Sequence, residues 1–441
     1  MEKKIVVIGM GYVGIPCAVL LADVDGFYVT GVQRRSRRSG WKIECLNSGK
    51  NPFEGDEPGL SELIAKVVKK GTFRVTDDIS ACKDADIILI DVQTPTDENR
   101  VPQYLSLREV SRNTGQYMKK GVLVVIESTV APGTIQNIVQ PILEEASGMK
   151  AGGDFYLAFS YERVMPGKLL EYIVNMPRVV GGIDPRSTEM AVDMYKKIVK
   201  REITATDCIT AELAKTVENA YRDVNIAFAN EIALVCESMG ADVWEIRKLI
   251  NARHDRHMHY PGAGVGGHCL PKDTWLLRYG LTEYGLKDAN TDVIALARRV
   301  NDFMPHHTSE LVKEALLEKV RPLRGSRIAL LGLAYLEDSD DTRNTPAWPL
   351  IQELEREGAS VIVHDPFVRE YEGVTLTRNL DEALKGADCA VIVTKHKCYF
   401  DLDLKQAKKL MRTPTLVDGR NVFRGPEVRE VGFVYKGIGK G

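Results

Sequence analysis

The stretch Pro261-Gly262-Ala263-Gly264-Val265-Gly266-Gly267-His268-Cys269-Leu270-Pro271-Lys272-Asp273 gathers more chemistry than any other part of the chain. Its glycines, placed just ahead of a cysteine, let backbone N–H groups wrap a phosphate or carbonyl oxygen and set a thiol beside it. Cys269 is then a candidate nucleophile, provided a neighbouring cation lowers its pKa; Lys272 and His268 are close in sequence, and Asp273 can act as acid or base. A buried inert thiol is the competing reading of any isolated cysteine. His254, His257, His259 and His268 with Cys269 suggest a metal, but their spacing fits no standard zinc pattern, and no metal is expected.

Three further groups could work beside that loop. In Glu212-Leu213-Ala214-Lys215-Thr216-Val217-Glu218-Asn219-Ala220-Tyr221-Arg222, helical spacing puts Lys215, Asn219 and Arg222 on one face, a solvated stripe unless that face meets a site. Thr129, in Glu127-Ser128-Thr129-Val130-Ala131-Pro132-Gly133-Thr134, follows an apolar run where a ligand crevice forms in parallel sheets. Glu162, ahead of Arg163-Val164-Met165-Pro166-Gly167, could face the same ligand; a helix cap or a surface charge is the plainer reading of each alone.

The positioning elements alternate. Lys3 to Ile8 is a β-branched run ending in Gly9-x-Gly11-x-x-Gly14, and Val13 to Ala22 continues as a buried helix. In that context the first glycine makes the turn, the second admits a pyrophosphate, and the third lets helix and strand pack. Tyr28 to Val32, Ala85 to Ile90 and Val122 to Ile126 read as further strands, with a helix over Leu60 to Lys70, which predicts a parallel doubly wound sheet. An acidic residue is expected after the second strand, but Gln33 stands there, followed by Arg34-Arg35-Ser36-Arg37-Arg38. Arginine there suits a 2′-phosphate, hence NADP; a solvated basic turn is the alternative.

Ala211 to Met239 predicts one long helix, followed by helices over Val243 to Ile250 and Ala289 to Val320 that flank the glycine loop. From Arg327 the opening syntax returns as Ile328-Ala329-Leu330-Leu331, Gly332, a helix over Pro346 to Arg356, Val361-Ile362-Val363 and Asp365. Ala81-Cys82-Lys83-Asp84-Ala85-Asp86 is echoed by Ala383-Leu384-Lys385-Gly386-Ala387-Asp388. Gly332-Leu333-Ala334-Tyr335 lacks the later glycines, so only the first copy should hold a dinucleotide. The expected fold is α/β: two Rossmann-like doubly wound domains joined by a long helix and a central helical dimerisation domain. The boundaries fall at 1–205, 206–320 and 321–441.

Composition fits an ordinary globular chain, because 441 residues at roughly 150 per domain make about three domains, with 44% hydrophobic and 27% charged residues. A net charge of −2 gives no field for nucleic acid or an anionic membrane, and no apolar run is long enough to span a bilayer. Eight scattered cysteines without a Cys-x-x-Cys pair suit reduced thiols, so a cytoplasmic location is expected.

Taken in order, the glycine fingerprint, Glu127-Ser128-Thr129-Val130, Glu162 before Arg163-Val164-Met165-Pro166-Gly167, the Lys215/Asn219 helix, Gly264 to Cys269 and Asp340-Asp341-Thr342-Arg343 resemble the UDP-glucose/GDP-mannose dehydrogenase family. The resemblance implies a twofold oxidation of a sugar nucleotide at C6, from alcohol through aldehyde to acid, with NAD. Cys269 would attack the aldehyde and carry a thiohemiacetal and then a thioester. Lys215 would stabilise the oxyanion, Asp273 with Thr129, Asn219 and a water would manage the first proton, and Glu162 would serve the hydrolytic water. The implied cofactor contacts are Gly9, Gly11, Tyr12, Val13, Gly14, Gln33, Arg34, Thr94 and Thr129. For the UDP-sugar they are Glu162, Arg163, Val164, Lys215, Asn219, Arg222, Gly264, Gly266, Gly267, His268 and Arg343.

Two residues depart from the family pattern. Gln33 replaces the usual acidic residue, which implies NAD use with unusual tolerance for NADP. Leu336 stands where many members have a Lys near the uridine diphosphate. Asn175-Met176-Pro177-Arg178-Val179-Val180-Gly181-Gly182 and the residues before Cys269 resemble the branch acting on UDP-N-acetylhexosamines. UDP-N-acetylmannosamine is the expected substrate, for polysaccharide or glycan precursors, with UDP-N-acetylglucosamine or UDP-glucose as alternatives. A homodimer through the helical middle is expected. A non-catalytic nucleotide-sugar sensor is the reading from another class, opposed by the presence together of Cys269, Lys215, Asp273 and Glu162.

Overall fold

The computed structural model describes residues 2–37, 39–53, 55–285 and 290–441. Met1, Arg38 and Ala289, on which parts of the sequence reading fall, lie outside the described residues.

The first sheet has eight strands: β1 Lys3–Ile8, β2 Phe27–Val32, β3 Phe73–Thr76, β4 Ile87–Ile90, β5 Leu123–Ile126, β6 Tyr156–Phe159, β7 Arg178–Gly182 and β8 Ile203–Asp207. Their order is β3-β2-β1-β4-β5-β6-β7-β8. Alternation along β1 sends Ile5 and Val7 into one apolar cluster and Val6 and Ile8 into another, so both faces of the sheet are covered, as a doubly wound sheet requires. One pairing departs from the expected parallel arrangement: β6 and β7 are antiparallel. Neither β6 nor β7 was read as a strand from the sequence, and β7 ends in two glycines, which carry no strand signal.

The second sheet contains β9 Arg327–Leu331, β10 Ser360–His364, β11 Leu376–Thr377, β12 Cys389–Ile392, β13 Thr415–Asp418 and β14 Val434–Gly437 in the order β11-β10-β9-β12-β13-β14. That order repeats the first six strands of the first sheet and is the Rossmann order. The echoed Ala-Asp pair now has a physical reason. Asp86 Oδ2 accepts from Lys4 N at 2.9 Å, and Asp388 Oδ2 accepts from Arg327 N at 2.9 Å, so each aspartate anchors the first strand of its own copy. The α/β class and the two Rossmann-like sheets read from the sequence are both present.

The expected helix Leu60–Lys70 is present, and the long helix runs Cys208–Met239. Helices Val243–Asn251 and Asp292–Leu317 follow the predicted periodicity. Leu270–Tyr284, directly after Cys269, was not anticipated. The chain forms two compact units, one of residues 1–218 with 275–289 and the other of residues 219–274 with 290–441.

Candidate active site

In the first unit, Gly9 takes φ +109°, and a Cβ at Gly9 or Gly14 would overlap backbone atoms of Asp91 or Gly9. A Cβ at Gly11 would meet nothing within 4 Å. The first and third glycines therefore serve packing, and the second leaves open backbone where a diphosphate can approach. The helix Gly14–Asp23 follows Val13 with no side-chain cap and no acidic residue in its first turn, which leaves its positive end open to an anion. Tyr12 stacks on Phe53, ring centroids 4.4 Å apart. These residues fit a dinucleotide.

Gln33 turns its amide onto the loop itself. Its Oε1 accepts from Met10 N at 3.1 Å, and its Nε2 donates to Ser39 Oγ at 3.0 Å. Asp365 in the second copy does the same with Leu333 N at 2.7 Å and Ala334 N at 3.0 Å, so an anionic side chain already occupies that turn's amides. Arg34 and Arg37 are exposed. Arg35 is paired with Asp77 and Glu44, each at 2.9 Å, so its charge is already matched by carboxylates.

The ends of β4, β5 and β6 bring the next group together. Thr94 Oγ1 donates to Thr129 O at 2.6 Å, tying two of the loops. Lys215, buried on the long helix, donates from Nζ to Glu162 O at 2.7 Å. An ammonium has three donors, so others remain for a ligand oxygen. Arg163 forks onto Glu218 at 2.9 and 3.0 Å and reaches Tyr161 OH at 2.9 Å, while Val164 packs on the apolar core. The Glu162 carboxylate is bound by Arg178, which also binds Glu127. In the sequence Arg178 is only part of the Asn175–Gly182 pattern, and nothing there signals these two ion pairs.

The second unit holds the thiol. Cys269 is exposed, and its carbonyl accepts from Lys272 N at 3.0 Å and Asp273 N at 2.8 Å, which makes it the N-cap of the helix Leu270–Tyr284. One turn on, Asp273 is fully buried, accepts from Asn219 Nδ2 at 2.5 Å and lies 3.3 Å from Lys272 Nζ. His268 is not the cation the thiol would need. Burial, with Lys272 and Arg343 nearby, pushes its pKa down to about 4, so it is neutral at physiological pH. Lys272, three residues on, is the other nearby cation, and its Nζ lies against Asp273.

Gly264, Gly266 and Gly267 pack the loop against the segment after β9. A Cβ at Gly264 would lie 2.6 Å from Pro346 Cβ, one at Gly266 2.6 Å from Tyr335 Cβ, and one at Gly267 2.8 Å from the Tyr335 ring. Gly267 N donates to Arg343 O at 2.8 Å, and Asn344 Nδ2 returns to Gly267 O at 3.0 Å. Arg343, half-exposed, pairs with Asp341 at 2.5 Å. Arg222 is exposed rather than buried like Lys215. Asn230 and Arg420 went unread in the sequence, yet Gly262 N donates to Asn230 Oδ1 at 2.9 Å and Arg420 Nη2 to Gly264 O at 3.0 Å. No local motif signals either one.

Residues 3–199 match the description "UDP-glucose/GDP-mannose dehydrogenase family, NAD binding domain", residues 209–303 its central domain and residues 329–425 its UDP binding domain. The chain belongs to this dehydrogenase family. A curated UDP-N-acetyl-D-mannosamine dehydrogenase of Pyrococcus horikoshii is 37% identical over 99% of both chains. One from Methanocaldococcus jannaschii is 33% identical over 100% of this chain and 97% of its own. The solved NDP-N-acetyl-D-galactosaminuronic acid dehydrogenase of Methanosarcina mazei superposes with a TM-score of 0.90 at 45% identity, covering 100% of this chain and 95% of that one. As a member of the family, the chain is an NAD-dependent oxidoreductase with a UDP binding domain. No helix among the described residues is long and apolar enough to cross a membrane.

Proposed function

We propose that this chain oxidises UDP-N-acetyl-D-mannosamine at C6 to the uronate, in two steps, as a cytoplasmic homodimer supplying polysaccharide or glycan precursors. Gly9, Gly11, Tyr12, Val13, Gly14, Gln33, Arg34, Thr94 and Thr129 hold NAD, which accepts a hydride at each oxidation. Asp273, set by Asn219, takes the proton of the C6 hydroxyl through a water that Thr129 helps to place. Lys215 stabilises the negative oxygen with its remaining N–H donors. The Cys269 sulfur adds to the aldehyde carbon, the second oxidation leaves a thioester, and water cleaves it under the direction of Glu162. Gly264, Gly266, Gly267 and His268 with Arg343 line the sugar nucleotide, His268 as a neutral hydrogen-bonding group. Arg163, Val164 and Arg222 complete the set of substrate contacts.

The observation that carries this reading is an exposed thiol one helical turn from a fully buried carboxylate that is itself held by an amide. A protein that only binds a nucleotide sugar needs neither group. The experiment is NADH formation with UDP-N-acetylmannosamine, UDP-N-acetylglucosamine, UDP-N-acetylgalactosamine and UDP-glucose. The mannosamine is expected to have the highest kcat/KM. Faster turnover of another sugar overturns the substrate, and no reduction with any overturns the activity.

A further inference from the structure

Arg178 opens β7, the strand that reverses the sheet's direction. The register pairs Ala158 with Gly182 and Phe159 with Gly181. Extended past the strand ends, it sets Arg178 opposite Glu162. The arginine is 4% exposed. Its two terminal nitrogens bind the carboxylates of Glu162 and Glu127, its Nε donates to Ser160 Oγ at 2.8 Å, and its plane lies 3.5 Å from the Tyr195 ring centre. Tyr195 OH in turn donates to Glu127 Oε1 at 2.7 Å.

Beyond Glu127 sits Asp91. Asp91 Oδ2 and Glu127 Oε2 are buried without a donor, and the two carboxyls face each other. Burial and the Glu127 charge accordingly raise the Asp91 pKa well above the carboxylate range. Glu162, in the same buried cluster, instead faces the guanidinium. The backbone carbonyl of Glu162 is pinned as well, by Lys215 at 2.7 Å.

We propose that Arg178 is the positioning residue for the hydrolytic half of the reaction, holding the Glu162 carboxylate in one orientation toward the attacking water while Glu127 anchors the guanidinium from behind. This rests on the reading above in which Glu162 serves that water. The water oxygen bonds to the thioester carbon, and one water proton passes to Glu162. The C–S bond breaks with its electron pair leaving on Cys269 as thiolate. The uronic acid and Glu162 then each release a proton to solvent. Arg178 touches none of the reacting atoms; it fixes the group that does.

The test uses the full chain carrying Arg178→Lys, which keeps the charge but not the fork, and Arg178→Gln. Each is mixed rapidly with NAD and UDP-N-acetylmannosamine, and intact-protein mass spectra are taken during turnover. Expected are a burst of two NADH per site, a steady state at least tenfold slower than wild type, a covalent adduct accumulating on Cys269, and KM values within twofold. Slower turnover with no burst and no adduct would mean that Arg178 is only scaffold, and wild-type turnover would remove even that role. If both variants fail to fold, Glu127→Gln carries the test with the same expected adduct and the same refutation. Glu162→Gln separates the two levels. An adduct there without one in Arg178→Lys overturns this inference alone, and no adduct in Glu162→Gln overturns the role of Glu162 on which it rests.

Discussion

Removing the Asn230 side chain should loosen the loop that carries Cys269. Asn230 is fully buried on the long helix; its Oδ1 accepts from Gly262 N at 2.9 Å and its Nδ2 donates to Asn301 Oδ1 at 2.8 Å. Asn301 donates on to Asp223 Oδ1 at 2.8 Å, and Asp223 pairs with the buried Arg298 at 2.6 Å. The glycine loop therefore hangs from a buried polar chain that ends in an ion pair. Asn230→Ala leaves one backbone N–H and one amide oxygen unpaired, at about 1–3 kcal/mol each, so the total is roughly 2–5 kcal/mol after some relaxation. At roughly 2–4 °C per kcal/mol for a unit of 150–250 residues, melting should fall by about 4–20 °C. The assay is calorimetry beside the rate of Cys269 alkylation by iodoacetamide, which should change as the loop moves. A melting temperature within about 1 °C of wild type together with unchanged alkylation would refute the anchoring argument.

Asp365 is fully buried, which by itself would raise its pKa, but His396 and the amides of Ala334 and Leu333 hold it down to about 2 from an ordinary 3.8. Stability from this carboxylate is present above the unfolded value and is lost as pH falls through about 2, amounting to roughly 2 kcal/mol. Acid unfolding followed by intrinsic fluorescence should lose that slope in Asp365→Asn; parallel pH curves would contradict it. The long helix exposes Leu213, Val217, Tyr221 and Phe228, with Tyr221 66% and Phe228 53% exposed, a stripe suited to a second copy. Light scattering should report a dimer that Tyr221→Glu with Phe228→Glu converts to monomer, and a wild-type monomer at micromolar concentration would refute the homodimer. Gly264 takes φ +131° against Pro346, so Gly264→Ala should cut kcat/KM at least tenfold while NAD affinity, measured by fluorescence quenching, stays unchanged. Equal activity would show that the loop has slack.

Much of the fold was legible because each Rossmann copy announces itself locally. β1 with Gly9, and β9 with Gly332, are apolar runs closed by a glycine of positive φ, and the helix Leu60–Lys70 follows a plain 3.6-residue period. The helix Leu270–Tyr284 was hidden by Pro271 and Gly280. Pro271 is tolerated in a first turn, and Gly280 is needed because a Cβ there would lie 2.5 Å from Pro132 O. At the site, Cys269, Asp273 and Asn219 were readable because a helix period and a loop place them. Arg178, Glu127 and Asp91 were not, since Glu127 and Arg178 lie 51 residues apart and meet only through sheet register. Gln33 was read for its charge, whereas its observed partner is the amide of Met10, a backbone contact that residue type does not announce.

A four-electron oxidation carried on Cys269 is tested by the ratio of NADH formed to uronate released from UDP-N-acetylmannosamine, read by absorbance and chromatography on one sample. Two NADH for each uronate are expected in the wild type and, in Cys269→Ser, no uronate despite near-normal binding of the sugar nucleotide. One NADH per sugar with free aldehyde as product, or normal uronate formation by Cys269→Ser, would contradict it.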